Sequence, residues 1–231
     1  MRDVIIACDF SSKEETLLFL DKFTEKKPFV KIGMELYYSE GPEIVKEIKK
    51  RGHKIFLDLK LHDIPNTVYK AMKNIGILDV DMTNVHATGG IEMMNKARLA
   101  LDEVNKDTIL LAVTILTSTS EEAMQNELLI NSSLNNTVLK YAENAKKAGL
   151  QGVVCSPLEA SLIKDNLGET FVSVTPGIRF ASNSADDQKR VTTPEKAKEI
   201  GSHYIVVGRS ITKAENPVEA YNRCMKEFVG E

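Results

Sequence analysis

The sequence predicts a single (β/α)8 barrel, or TIM barrel, on three observations. Eight short apolar, β-branched runs alternate with amphipathic stretches from one end of the chain to the other. Runs this apolar imply a parallel sheet buried beneath helices. Eight units in 231 residues average about 29 residues each, close to what such a barrel uses. An open doubly wound sheet shares the alternation and stays open on pattern alone. No G-x-G-x-x-G follows the first strand, which weakens a dinucleotide-binding version of it.

The strands are expected in VIIACDF (4–10), FVKIGME (29–35), KIFLDLK (54–60) and DMTNVHA (81–87). They continue in TILLAVTIL (108–116), GVVCSP (152–157), FVSVTPGI (171–178) and HYIVVGRS (203–210). Helix starts are signalled by Ser11 or Ser12, by Asn135, and by Pro194 in a first turn. Val218, Tyr221, Met225 and Phe228 share one face of the last helix. Gly52, Gly149 and Gly201 stand where a helix ends in a left-handed residue before the next strand. No linker, low-complexity tract or second domain interrupts residues 1–231.

Composition narrows the function classes. With 42% apolar residues, 27% charged residues and a formal net charge of −3, the chain has ordinary soluble-globular character. The near balance of charge gives no footprint for nucleic acid or an anionic membrane. No apolar run approaches the roughly 20 residues that span a bilayer. Asp3 and Asp9 bracket only five apolar residues, too short a stretch for a signal peptide. Cys8, Cys155 and Cys224 are odd in number, far apart and without a C-x-x-C, so they read as reduced thiols in a cytoplasm and not as a zinc site.

Barrel enzymes carry their chemistry at the carboxyl ends of the strands. Asp9 closes the first expected strand, Lys31 lies inside the second with Glu35 after it, and Asp58 and Lys60 close the third on one face. His86 closes the fourth, Thr117 follows the fifth, Ser156 and Pro157 end the sixth, Arg179 follows the seventh and Arg209 ends the eighth. The opposite strand ends are mostly apolar. For any one of these residues, the edge of a core meeting water is an equal explanation. Lys31, between Val30 and Ile32, is harder to explain that way, because an unpaired ammonium there would lose its charge or destabilise the fold. An alternating array of Lys31, Asp58, Lys60 and Asp63 would hold four charges in one pocket. As fold glue it would be a poor choice, since apolar replacements are often as stable.

These residues carry a resemblance. FLDLKLHDIPNTV is similar to the D-x-K-x-x-D-I-P-x-T signature of the orotidine 5'-monophosphate decarboxylases of short bacterial type. The likeness extends through ACDF, VKIGMELYYSEGP, NVHATGG, VTILTS, TPGIR and VVGRSI, in order over essentially the whole chain. It implies decarboxylation of orotidine 5'-monophosphate to UMP, a carboxy-lyase reaction without a cofactor and the last step of de novo UMP synthesis. Lys60 would be the proton donor, in a network with Lys31, Asp58 and Asp63. Asp63, Ile64 and Thr67 would reach a neighbouring subunit's site, making a homodimer the working unit. Asp9 and Lys31 would contact ribose hydroxyls, and Thr117 the pyrimidine amide edge. Gln188, Gly208 and Arg209 would hold the 5'-phosphate with Arg179 beside them, under a lid formed by FASNSADDQKRV. The nearest competitors are the magnesium-dependent sugar-phosphate decarboxylases and hexulose-phosphate synthases, which share D-x-K-x-x-D. They place a metal-binding glutamate where this chain has Lys31, so no metal is expected. A phosphate-ligand-binding barrel without activity is a further alternative, but it has no use for the four charges.

Overall fold

The computed structural model describes residues 2–180 and 192–230. Eight parallel strands close into a barrel in sequence order. They are β1 Asp3–Ala7, β2 Phe29–Gly33, β3 Ile55–Leu61, β4 Met82–His86, β5 Ile109–Val113, β6 Gly152–Val154, β7 Val172–Thr175 and β8 Tyr204–Val207. The open sheet left possible by the pattern is thereby excluded, since β1 pairs with both β2 and β8.

Outside the barrel lie α1 Lys13–Leu20, α2 Met34–Glu40, α3 Pro42–Lys50, α4 Pro65–Ile77, α5 Gly90–Val104 and α6 Glu121–Asn126. They continue with α7 Leu134–Lys147, α8 Ala160–Leu167, α9 Pro194–Ile200, α10 Arg209–Thr212 and α11 Pro217–Phe228. No helix among the described residues is long and apolar enough to cross a membrane.

Side-chain alternation along each strand divides the core in two. Outward residues such as Val4, Ile6, Val30, Ile32 and Leu57 pack against the helices. Inward residues, among them Ile5, Phe29, Phe56, Met82, Leu111, Val174 and Tyr204, fill the barrel's lower part. The lower barrel is therefore a packed apolar plug, and polar chemistry is confined to the mouth above it.

The helix boundaries follow local chemistry. Ser12 caps α1, its side chain accepting from the Glu15 N–H at 3.2 Å. Pro194 stands in the first turn of α9, where a missing N–H leaves no bond unmade. Asn135 is not the cap of α7. Ser133 takes that place, accepting from the Asn136 N–H at 3.3 Å, and Asn135 falls inside the helix. Gly52, Gly149 and Gly201 have φ of 86°, 86° and 98°, as the helix ends require. Tyr221, Met225 and Phe228 of α11 are buried, with Val218 packed against them. All three cysteines are buried thiols outside any disulfide.

The expected strands run on past several observed ones: Asp9, Ile115, Ser156 and Gly208 lie beyond the sheet. At those ends the chain turns away from its neighbours to form the mouth, and apolar content does not mark where pairing stops.

One close approach constrains the fold. A Cβ on Gly152, in β6, would meet the Val172 carbonyl oxygen of β7 at 2.1 Å. That oxygen is backbone and cannot swing aside. Gly152→Ala should destabilise the protein by at least about 1–3 kcal/mol in urea unfolding; an unchanged midpoint would contradict the observed β6–β7 spacing.

Candidate active site

The inward positions on β1, β2 and β3 step from apolar to charged along each strand. Ile5 and Ala7 lead to Asp9, Phe29 leads to Lys31, and Phe56 leads to Asp58 and then Lys60. Register sets Lys31 beside Ala7 and Phe56, one inward step below Asp58, which lies beside Gly33. The charged ends project into a cavity of about 700 Å³ at the barrel mouth.

Four charges form a row across its floor. Lys31 Nζ lies 2.8 Å from Asp9 Oδ1 and 3.5 Å from Asp58 Oδ2. Asp58 Oδ1 in turn lies 2.8 Å from Lys60 Nζ. A Cβ on Gly33 would stand 3.2 Å from both Asp9 Oδ1 and Lys31 Nζ, so the bare glycine gives this ion pair its clearance. Burial pushes the Asp58 carboxyl up, but Lys31, Lys60 and hydrogen bonds from Lys60 and Asn84 outweigh it, holding the group below the usual carboxylate range. Burial likewise acts to lower Lys31, and the fields of Asp58 and Asp9 outweigh it, so the ammonium stands above the ordinary lysine value. The neighbouring Cys8 thiol is pushed up to about 12 by burial and stays protonated.

Lys60 has φ of 53°, left-handed for a non-glycine residue, whereas Asp79 and Leu129, which share that geometry, lie outside strands. Such backbone costs about 1–3 kcal/mol and is held only where its surroundings over-determine it. A register shift supplies those surroundings. Leu57 pairs with Thr83 and Leu61 with Val85, so Asp58, Leu59 and Lys60 together face Asn84 alone. Asn84 is fully buried. Its Oδ1 accepts from the Lys60 backbone N–H at 2.8 Å, and its Nδ2 donates to Asp58 Oδ1 at 2.7 Å. Below it, the Thr83 hydroxyl donates to the Leu57 carbonyl at 2.9 Å. Asn84 is not among the residues expected from sequence, although a carboxamide inside an apolar strand is a signal.

Asp63 does not join the row within one chain. It is exposed, and its Oδ1 accepts from the Ile64 N–H at 2.6 Å. Within one chain, the row among the described residues is Asp9, Lys31, Asp58 and Lys60, and Asp63 of the expected array with Lys31, Asp58 and Lys60 stands apart from it. The reason is geometric: after Leu61 the chain leaves the barrel, carrying Asp63, Ile64 (67% exposed) and Thr67 onto the outer rim at the start of α4.

The other expected residues gather around the cavity. Thr117 lines it after β5, Arg179 after β7, and Gly208 and Arg209 after β8. Strand β7 stands opposite β3 in an eight-stranded ring, so Arg179 faces Lys60 across the mouth, while Arg209 follows β8, which pairs with β1 at the Asp9 end of the row. Gln188 and the rest of the expected lid beyond Phe180 lie outside the described residues. Glu15, Glu35 and Lys213 also line the cavity. His86 does not. It is half-buried with its ring 5.7 Å from that of His62, and burial, then His62 and Lys60, hold it below the usual histidine range.

Chemically, the floor offers a fixed ammonium beside a fixed carboxylate, and the wall after β7 and β8 offers two guanidiniums. That suits a ligand with a reacting centre at one end and an anionic group at the other.

Comparison with known proteins gives the same reading of the fold. The sequence model of the orotidine 5'-phosphate decarboxylase / HUMPS family matches residues 2–224. The chain is 55% identical over 231 residues to orotidine 5'-phosphate decarboxylase of Staphylococcus haemolyticus, covering 100% of both chains. It is 56% identical over 226 residues to the Staphylococcus saprophyticus protein of that name, covering 98% of each. Among solved structures, orotidine 5'-phosphate decarboxylase from Lactobacillus acidophilus superposes with a TM-score of 0.88 at 43% identity, over 99% of both chains. An uncharacterized conserved protein from Geobacillus kaustophilus gives 0.86 at 46% identity, over 97% of this chain and 99% of that one. The chain belongs to the orotidine 5'-phosphate decarboxylase / HUMPS family.

Proposed function

We propose that this protein decarboxylates orotidine 5'-monophosphate to UMP and carbon dioxide, completing de novo UMP synthesis in the cytoplasm. The observation that carries the proposal is the row Asp9–Lys31–Asp58–Lys60 set beneath a cavity that Arg179 and Arg209 also line. A nucleotide spanning the mouth places its 5'-phosphate on Arg179, Gly208, Arg209 and Gln188 and its ring over Lys60. Asp9 and Lys31 then meet the ribose hydroxyls, and Thr117 the amide edge of the pyrimidine.

The bond between C6 and its carboxylate breaks heterolytically. Carbon dioxide leaves, and the electron pair stays on C6, where no conjugated sink accepts it. The Lys60 ammonium faces that pair, stabilises it, and passes it a proton; the resulting amine regains a proton from solvent. Fixed charge in a water-poor site is generally the largest catalytic term. Asp58 keeps Lys60 charged and aimed, and Lys31 balances Asp58 from its other oxygen. Binding energy from the distant phosphate orders the site, so its removal should lower turnover as well as affinity.

The same row separates this chemistry from that of metal-dependent relatives. A divalent cation on Asp58 would need the space that the Lys31 ammonium fills 3.5 Å from Oδ2, and like charge would repel it. The reaction therefore proceeds without metal.

The working unit is a homodimer. The exposure of Asp63, Ile64 and Thr67 on the rim beside β3 supports their reaching a second subunit's site.

The ultraviolet change from orotidine 5'-monophosphate to UMP tests the activity. Turnover should persist in EDTA, and Lys60→Ala should lower it by about 10²–10⁴-fold with the fold intact. Loss of activity on chelation favours the metal-dependent relatives, and more than a tenth of parent turnover in the variant rejects the role of Lys60. For the dimer, mixing inactive Lys60→Ala and Asp63→Ala chains should restore activity through hybrid sites. No recovery despite demonstrated subunit exchange would refute sharing.

A further inference from the structure

We propose that Asn84 is a positioning residue for the decarboxylation, setting the Lys60 backbone and the Asp58 carboxylate with the two ends of one buried carboxamide. The inference rests on the function proposed above and concerns a residue that touches no substrate.

Three observations converge on it. Asn84 is the one β4 residue opposite Asp58, Leu59 and Lys60, where the β3–β4 register shifts. The Lys60 N–H, displaced from the ladder by the bulge, ends on Asn84 Oδ1 at 2.8 Å, which fixes the left-handed turn at φ 53°. From the same carboxamide, Nδ2 reaches Asp58 Oδ1 at 2.7 Å, the oxygen that Lys60 Nζ contacts at 2.8 Å.

The orientation of the amide follows from its partners. A backbone N–H needs an acceptor and a carboxylate needs a donor, so the flipped amide would oppose like to like at both ends. The side chain thus closes a small ring: Lys60 backbone, Asn84, Asp58 and back to the Lys60 ammonium. Without Asn84, the strained backbone and the carboxylate orientation lose their common support, and the ammonium is free to drift from the reacting carbon.

No other uncharged side chain of this size replaces it. Leucine matches the volume but leaves a buried N–H and a carboxylate oxygen without their partner. Aspartate matches the shape but, ionised, repels Asp58 and donates nothing. When protonated, that introduced carboxyl both accepts from Lys60 and donates to Asp58, restoring the pattern. The charged and titratable groups around this point are Asp58 and Lys60 on β3, Lys31 on β2, and His62 and His86 at the ends of β3 and β4.

The test compares Asn84→Ala and Asn84→Asp with the parent enzyme on orotidine 5'-monophosphate, with thermal melting followed alongside. In Asn84→Ala, kcat should fall about 10–100-fold while KM changes little, because the phosphate and ribose contacts are untouched. In Asn84→Asp, kcat relative to the parent should rise as pH is lowered and the introduced carboxyl takes up its proton. A purely structural role would move melting and active fraction alike at every pH. Should the alanine variant fail to fold, the near-isosteric aspartate variant decides the matter. Either kcat within about threefold of the parent, or a pH profile parallel to the parent's, overturns the inference. A parent protein inactive on this substrate would instead overturn the functional reading itself, and that is seen before any substitution is made.

Discussion

The carboxylate of Asp58, shared between the ammoniums of Lys31 and Lys60, is the interaction on which the site depends. Each of its oxygens meets one lysine, and among the described residues no other anion bridges the two. Removing one partner from a buried pair generally costs about 3–5 kcal/mol, because a charge is left in poor solvent without compensation. Here the loss would leave two like charges at the floor of one cavity. Asp9 adds an anion at the outer end, so that signs alternate along the row and every ammonium has a carboxylate beside it.

The barrel supplies this arrangement with little local invention. Apolar plugs below, and a two-residue period along each strand, deliver Asp9, Lys31 and Asp58 to the inner face near the mouth, with Lys31 one inward step below Asp58. Lys60 alone requires a departure from regular geometry. Its left-handed backbone and the bulge in β3 are destabilising locally, and they aim a side chain that a regular strand would place differently. A structure selected only for stability has no need of such a feature. Its presence at the head of the charge row ties the strain to the chemistry.

The fold was largely legible in the sequence because the β/α alternation is a strong, repeated signal. Asp58 and Lys31 were legible for a related reason: a charge inside an apolar strand demands partners, and the neighbouring strands offered them. The bulge at Lys60 was not, since nothing in KIFLDLK distinguishes a left-handed residue from a regular one. Asn84 was missed along with it, being defined by a pairing between strands rather than by its own segment. Asp63, expected to reach a neighbouring subunit's site, lies on the rim of its own chain, where the exit after Leu61 sends it. Ser133 in place of Asn135 shows the usual imprecision of helix ends, where adjacent polar residues all resemble caps.

The central claim is that a lysine pinned by carboxylate faces the carbon that carries the electron pair. A crystal structure with a UMP analogue bearing an anionic group at C6 tests it most directly. The account predicts Lys60 Nζ within about 3 Å of that group, with its contact to Asp58 kept. A Lys60 side chain turned away from the pyrimidine would contradict it.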